Sequence, residues 1–511
     1  MESHISAVPD KRSGWILNKI AEKEDRLKGK GLKREKKRKI EMCSGVWRKT
    51  MSKILIKNAK AIVTCNAKDE VFYDADLLID GPKIAAIGKH LEAEDAEVID
   101  GKGKFVYPGM INTHHHFFQT FVRNLITIDY PHLTVMDWID KIYRIFQKID
   151  DQVIYYSSMT AMADLLKHGC TTAFDHQYCY TTATGKRPVD RQMEAAAQLG
   201  IRYHAGRGGN TLPREEGSSI PAAMVESTEE FIKDCERLID TYHDAAPYSM
   251  RQIVVSPCQP INCYKDTFVE SVKLARDKGV RLHTHLGEGE SEGIRARYGV
   301  RTLEWCEQIG FIGEDVFYAH AWELTPEEYA KIAQTRTGIS HCPAPAVLGG
   351  FPILDIKKLQ EMGIVVSLGC DGSATNDSSN ELDALRMAYL MQAYHTKERG
   401  GSISSYDMLK IATVNGAKTL GRTDLGSLEV EKGADLFMID TRGLEFTGAI
   451  HDPKHLLART GVTGPVWMTI VNGRIVYADG HLTGVDEEKL AREGEEVCTK
   501  VLRSQFPDYW R

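Results

Sequence analysis

With 511 residues, 42% hydrophobic and 27% charged, the chain has the makeup of a folded globular protein and not of a disordered or fibrous one. No run of about 18 apolar residues occurs, and a net charge of -6 is no basis for nucleic-acid or membrane binding. The 11 cysteines keep no regular spacing and follow no apolar leader, which points to reduced thiols in a cytoplasmic enzyme.

Residues 1–50 carry the basic run KGKGLKREKKRK from Lys28 to Lys39, which has few core-forming side chains and is expected to be a disordered extension. It lacks the interleaved aromatics of a nucleic-acid site, and Met51 opens the first well-patterned segment. Residues 51–108 hold short apolar runs broken by turns (ILIKNAKAIVT, DLLID, KIAAIG, EVIDGKGKFVYPG), which read as strands of a small sheet. A second such set lies in residues 431–490 (ADLFMID, WMTIVNGRIVYADG). The two ends are therefore expected to pair into one small β-sandwich, with the middle of the chain inserted between them and residues 491–511 left as a helical tail.

Residues 109–430 alternate strand-like runs with helical patterns. The runs end near His114, His176, Arg207, Pro257, His285, His320, His341 and Asp371, and helix candidates such as 153–167, 228–242 and 268–278 fall between them. Eight strands alternating with helices predict an α/β fold, a (β/α)8 TIM-type barrel, whose catalytic mouth lies at the C-terminal ends of the strands.

Histidines and acids gather at those ends. In INTHHH, His114 and His116 are two residues apart, so in an extended strand both rings point the same way and can hold one ion, while His115 points away into packing. HTHLGE contributes His285 and Glu288, YAH ends in His320, and GCDGS supplies Asp371. Imidazole and carboxylate suit a borderline divalent metal at about 2.0–2.2 Å, with one position left for water. Such an ion lowers the pKa of its water from about 15.7 toward about 7, which gives hydroxide at neutral pH.

These motifs (PGMINTHHH, HTHLGE, YAH, SHCP, GCDGSATND and the closing ATVNGAKTLGRTDLGSLEVEKGADLFMID) resemble the amidohydrolase superfamily from about Met51 to near Asp486. Within it, HHHFFQT, DW, FDHQY, RG and DGSATND are similar to the branch of 8-oxoguanine deaminase, isoxanthopterin deaminase and hydroxyatrazine hydrolase. The resemblance implies that His114, His116, His285 and Asp371 hold one divalent ion, zinc or else iron. It places Glu288 and His320 beside the attacking water, with Glu288 as the proton carrier and Asp371 and His320 orienting the nucleophile. Two-metal relatives use a carboxylated lysine at strand four; QIVVSPCQP has no lysine, so a single metal is expected. The implied reaction is hydrolytic deamination of an oxo-substituted aminopurine, pterin or related ring, with release of ammonia. The alternative is displacement of an alkylamine or halide from a triazine, and a non-catalytic barrel scaffold would be expected to lack ligands that are all present here.

Several residues have two readings. Arg207 offers a fork of donors to a ring carbonyl or forms an ordinary ion pair. Gln119 can read an amide edge of the ring. Trp138 and Tyr143 line the pocket or belong to the core, His341 lines the substrate pocket, supports the site or is structural, His176 orients a loop, contacts substrate or is structural, and His283 supports the site or is structural. The stretch NTLPREEGSSIP after RGG and Cys370 before Asp371 depart from the branch pattern. The expected partner is a small heterocycle, acted on by a homodimer.

Overall fold

The computed structural model describes residues 53–125, 135–396 and 402–505, so the basic extension expected over residues 1–50 lies outside the described residues. The chain enters through β1 (Lys53–Val63), whose Ile, Leu and Val side chains are mostly buried. Asn58 breaks its ladder at φ 57°, a left-handed conformation that asparagine tolerates better than most residues. Before the break, Lys53 to Lys57 pair in parallel with β4 (Ala96–Asp100); after it, Ala61 and Ile62 pair in parallel with β5 (Lys104–Pro108). The Asn58 N–H freed by the irregularity is taken up by the carboxylate of Asp76 in β2 (Val71–Asp80) at 2.8 Å.

On one side of β1 come β2 and β3 (Lys83–Gly88); on the other, β5 pairs antiparallel with β14 (Leu436–Asp440), followed by β15 (Met468–Val471), β16 (Arg474–Ala478) and β17 (His481–Leu482). The β5–β14 ladder is therefore where the two ends of the chain meet. Ile54, Leu77, Ile79 and Val106 from the first end share one apolar cluster with Leu436, Met438, Met468 and Ile470 from the second. The layers expected as a sandwich are joined by hydrogen bonds into one continuous sheet.

The inserted segment forms eight parallel strands in chain order: β6 (Met110–Asn112), β7 (Cys170–Gln177), β8 (Arg202–Gly209), β9 (Arg251–Pro257), β10 (Arg281–Leu286), β11 (Val316–His320), β12 (Gly338–His341) and β13 (Val366–Leu368). Just past β6 and β13 the ring is joined by Thr113 N–H to the Leu368 carbonyl and Asp371 N–H to the His114 carbonyl, both 2.9 Å. Helices alternate with the strands, and their sequences show why they start and stop. Thr228–Tyr242 opens with a Ser227/Glu230 capping box and buries Phe231, Cys235, Leu238 and Ile239 along one stripe. Thr325 and Glu328 cap Pro326–Thr335 in the same way.

The C-terminal helix, Glu487–Gln505, starts before residue 491 and lies along Asp151–Lys167, with Tyr156 Oη donating to Glu493 at 3.1 Å and Lys167 paired with Glu487. Its Val497, Cys498, Val501 and Leu502 pack against an apolar cluster that reaches the barrel mouth. The cysteines of the described residues are free and, except for half-buried Cys498, buried. Among the described residues no helix is long and apolar enough to cross a membrane.

Candidate active site and metal centre

The site begins where β6 ends. His114 and His116 keep the two-residue spacing of an extended strand and turn inward, whereas the His115 ring lies on the other side with Nε2 3.0 Å from Ser379 Oγ. His116 Nδ1 donates to the His176 carbonyl at 2.9 Å, and His285 Nδ1 donates to the Cys258 carbonyl at 2.7 Å. A carbonyl can only accept, so Nδ1 of each ring carries a proton, and a neutral ring so bonded presents a bare lone pair at Nε2. Those two Nε2 atoms face each other at 3.1 Å. Asp371 Oδ1 lies 3.3 Å from His116 Nε2 and 3.5 Å from His114 Nε2, and the latter is buried without a hydrogen-bond partner. Opposed lone pairs beside a carboxylate repel one another unless a cation lies among them, and this donor set fits a borderline divalent ion. His114, His116 and His285 bring their nitrogens within 4.8 Å of one another, as do the donor atoms of His114, His320 and Asp371.

The far side of the site is built from strained backbone. His320 (φ 71°), Ala321 (φ 59°) and Asp371 (φ 64°) are left-handed without being glycine, each at a cost of about 1–3 kcal/mol. Glu288 stands in the turn after β10, where the Glu290 carboxylate accepts the N–H groups of Gly287 and Glu288, both at 2.7 Å. The turn brings Glu288 Oε1 to 3.4 Å from His320 Nε2 while leaving its side chain 18% exposed.

Burial sets the protonation states. It pushes His114 down to about 4 and His115 to about 3, and it holds His176, His283, His285 and His320 well below the usual imidazole range, so these rings are neutral. Burial opposes ionisation of Asp371 as well, but its position beside His114, His116 and His320 outweighs it and keeps the carboxyl well below its ordinary value. Glu288 goes the other way, raised well above the usual carboxylate range by burial and then by the charges of Asp371, Glu290 and Glu323. Two carboxyl groups pushed in opposite directions therefore approach the same ring, Glu288 at 3.4 Å and Asp371 at 3.9 Å from His320 Nε2.

A model of the amidohydrolase family matches residues 105–476. The chain belongs to the amidohydrolase family. It is 46% identical over 463 residues to the hydroxydechloroatrazine ethylaminohydrolase of Pseudomonas sp. (strain ADP), covering 88% of this chain and 96% of that protein. It is 31% identical to the 8-oxoguanine deaminase of Pseudomonas aeruginosa, covering 85% and 96%. Among solved structures it is similar to an atrazine chlorohydrolase from Arthrobacter aurescens TC1 complexed with zinc, at a TM-score of 0.83 and 31% identity, covering 87% of this chain and 100% of that one.

Around this amidohydrolase centre the remaining candidates divide. The Gln119 amide donates to Tyr178 Oη at 3.0 Å and accepts from Ala374 N–H at 3.2 Å, which ties the loop after Asp371 to the mouth of the barrel. Tyr178, which sequence reasoning missed, packs its ring 4.9 Å from His116 and 5.1 Å from Phe118. Trp138 lies half-buried on the helix Val135–Phe146 against the cluster holding Phe118, Tyr143, Tyr178 and Met224, with its indole N–H unpartnered. His341 is buried with neither ring nitrogen hydrogen-bonded, and His176 donates Nε2–H to the Ser256 carbonyl at 2.8 Å. Trp322, also missed, stacks between His320 and Phe351 at 4.3 and 4.5 Å.

Arg207 is the correction. Its guanidinium gives four of five N–H donors to Asp234 (3.0 Å), Glu226 (2.5 and 2.8 Å) and the Gly208 carbonyl (2.7 Å), and it lies 3.7 Å over the Tyr180 ring. It is completely buried and turned toward neighbouring carboxylates, so its fork is spent on them instead of on a ring carbonyl. Arg207→Leu strips half-buried Glu226 of its partner and leaves Asp234 with Arg237 alone, and urea unfolding is expected to show a loss of about 3 kcal/mol. KM of whatever folded enzyme remains should be unchanged.

Cys370, the departure beside Asp371, donates its thiol to Glu381 Oε2 at 3.1 Å, and Asn112 Nδ2 donates to the same oxygen at 2.7 Å. Asn112 Oδ1 in turn accepts the His114 N–H at 3.1 Å, so Glu381 links the two segments that carry His114 and Asp371. Burial raises Glu381 from 4.5 to about 7. Between those values the folded chain keeps a proton that the unfolded chain releases, so stability falls as pH rises through the interval and levels off above it. In Glu381→Gln that decline is expected to shrink by about 3 kcal/mol, read from urea unfolding at a series of pH values across the interval.

Proposed function

We propose that this amidohydrolase hydrolyses the bond between a ring carbon and an exocyclic amine nitrogen of an oxo-substituted N-heteroaromatic compound, with an N-alkylamine on a triazine as the leaving group. The supporting observation is the convergence of His114, His116, His285, His320, Glu288 and the Asp371 carboxylate at one mouth of the barrel. A divalent ion, best assigned as a single zinc, would be held by His114, His116, His285 and Asp371 and would supply hydroxide from water at neutral pH.

Asp371 and His320 orient the attacking oxygen toward the ring carbon. Glu288 protonates the adjacent ring nitrogen as the carbon becomes tetrahedral, takes the proton of the attacking oxygen, and passes it to the departing amine. Water and the amino-substituted ring thus become an oxo ring and a free amine.

The choice of an alkylamine rests on two supports. One is the 46% identity with an ethylaminohydrolase across almost the whole of both chains. The other is the apolar cluster whose Tyr178 and Phe118 rings lie 4.9 and 6.3 Å from His116, a surrounding that suits an alkyl group at about 0.8 kcal/mol per buried methylene. The 31% identity with an 8-oxoguanine deaminase favours a second reading, release of ammonia from an oxo-aminopurine. Mass-spectrometric product analysis decides between them. A hydroxylated N-ethylamino triazine is expected to yield ethylamine with a kcat/KM at least tenfold above that for any aminopurine, whereas ammonia from the purine alone would reverse the assignment.

A further inference from the structure

We propose that His283 is a positioning residue that fixes the proton of His114, so that the His114 lone pair faces the cation. The inference rests on reading His114 as a ligand, and it concerns a ring to which the proposed reaction gives no role.

His116 and His285 are each oriented by a main-chain carbonyl. His114 Nδ1 instead lies 3.1 Å from His283 Nε2, a contact whose direction two histidines alone would leave open. The fold closes that choice one residue further on. His283 Nδ1 is 3.0 Å from the Phe317 carbonyl, which can only accept, so the His283 proton is on Nδ1 and its Nε2 is bare. His114 Nδ1 must then be the donor, and its Nε2 lone pair is left facing Asp371 and the other ligands. The chain runs in one direction, from His114 through His283 to the Phe317 carbonyl.

Its anchor is firm because His283 and Phe317 are direct partners in the β10–β11 ladder. The His283 ring is fully buried, with the Phe317 and Phe174 rings 4.4 and 4.7 Å away. Without an acceptor at His283, His114 can move its proton to Nε2 and donate it to Asp371 Oδ1, 3.5 Å away. That tautomer satisfies the metal-free protein and blocks ligation, so the loss should appear in metal affinity and not in folding.

The test compares His283→Leu, which has no acceptor, with His283→Gln, whose amide carries both a donor and an acceptor. Zinc affinity is measured on the purified, metal-stripped full chain by competition with a chromophoric chelator, with thermal unfolding of the metal-free protein alongside. In His283→Leu the zinc Kd is expected to rise about 10–100-fold at an unchanged metal-free Tm. In His283→Gln it should stay within a few-fold of wild type. Wild-type affinity in the leucine variant would overturn the proposal. So would equal losses in both variants, and if the leucine variant fails to fold, the glutamine variant decides alone by keeping or losing affinity. A wild-type chain that binds no zinc would overturn the ligand reading itself, and the relay with it.

Discussion

Replacing Glu288 by glutamine is expected to lower kcat by about 10²–10⁴-fold while leaving the metal content unchanged. The amide keeps the size and hydrogen-bonding reach of the side chain but cannot release a proton to the ring nitrogen or the leaving amine. Burial and nearby carboxylates also raise Glu288 well above the ordinary carboxyl range, which favours the protonated form that the proposed proton transfer needs. The sign follows: wild-type kcat/KM should fall as pH rises through the Glu288 pKa, and the residual activity of Glu288→Gln should lack that alkaline decline. A pH-rate profile of both enzymes checks this, and a variant with full turnover would remove Glu288 from the chemistry.

The second large effect is expected at Asp371. It is the only negative group among the proposed ligands, 3.3 Å from His116 Nε2 and 3.5 Å from His114 Nε2. Asp371→Ala removes that charge together with one ligand and one orienting group. Several kcal/mol of stabilisation should disappear, which corresponds to at least about a 10³-fold loss of kcat/KM, with weaker zinc retention on dialysis. Near-wild-type turnover with full metal content would contradict the proposed ligand set.

The barrel was legible because its strands are buried on both faces and read as short apolar runs, and because the ligands fall at their ends with spacings that extended chain turns to one side. The His114/His116 pair could be found from a two-residue period alone. Arg207 could not be read correctly, because its partners Glu226 and Asp234 lie 19 and 27 residues downstream, where only tertiary packing shows that the fork is already engaged. Glu290 escaped notice because its role is to hold the backbone of a turn, and a lone glutamate after Gly289 carries no such signal. Tyr178 and Trp322 were missed for a related reason, since an aromatic just past a strand end looks the same in sequence whether it packs on a metal-site histidine or in the core. The sheet of the small domain was visible at both ends of the chain, but its continuity depends on the break at Asn58, where β1 changes partner from β4 to β5.

Everything at this site follows from lone pairs and a carboxylate brought together around one position. Elemental analysis of the purified enzyme by inductively coupled plasma mass spectrometry tests that directly. One equivalent of tightly held divalent metal per chain is expected, falling with activity on chelation and returning with it on readdition of zinc. Full activity in chain free of metal would contradict the account.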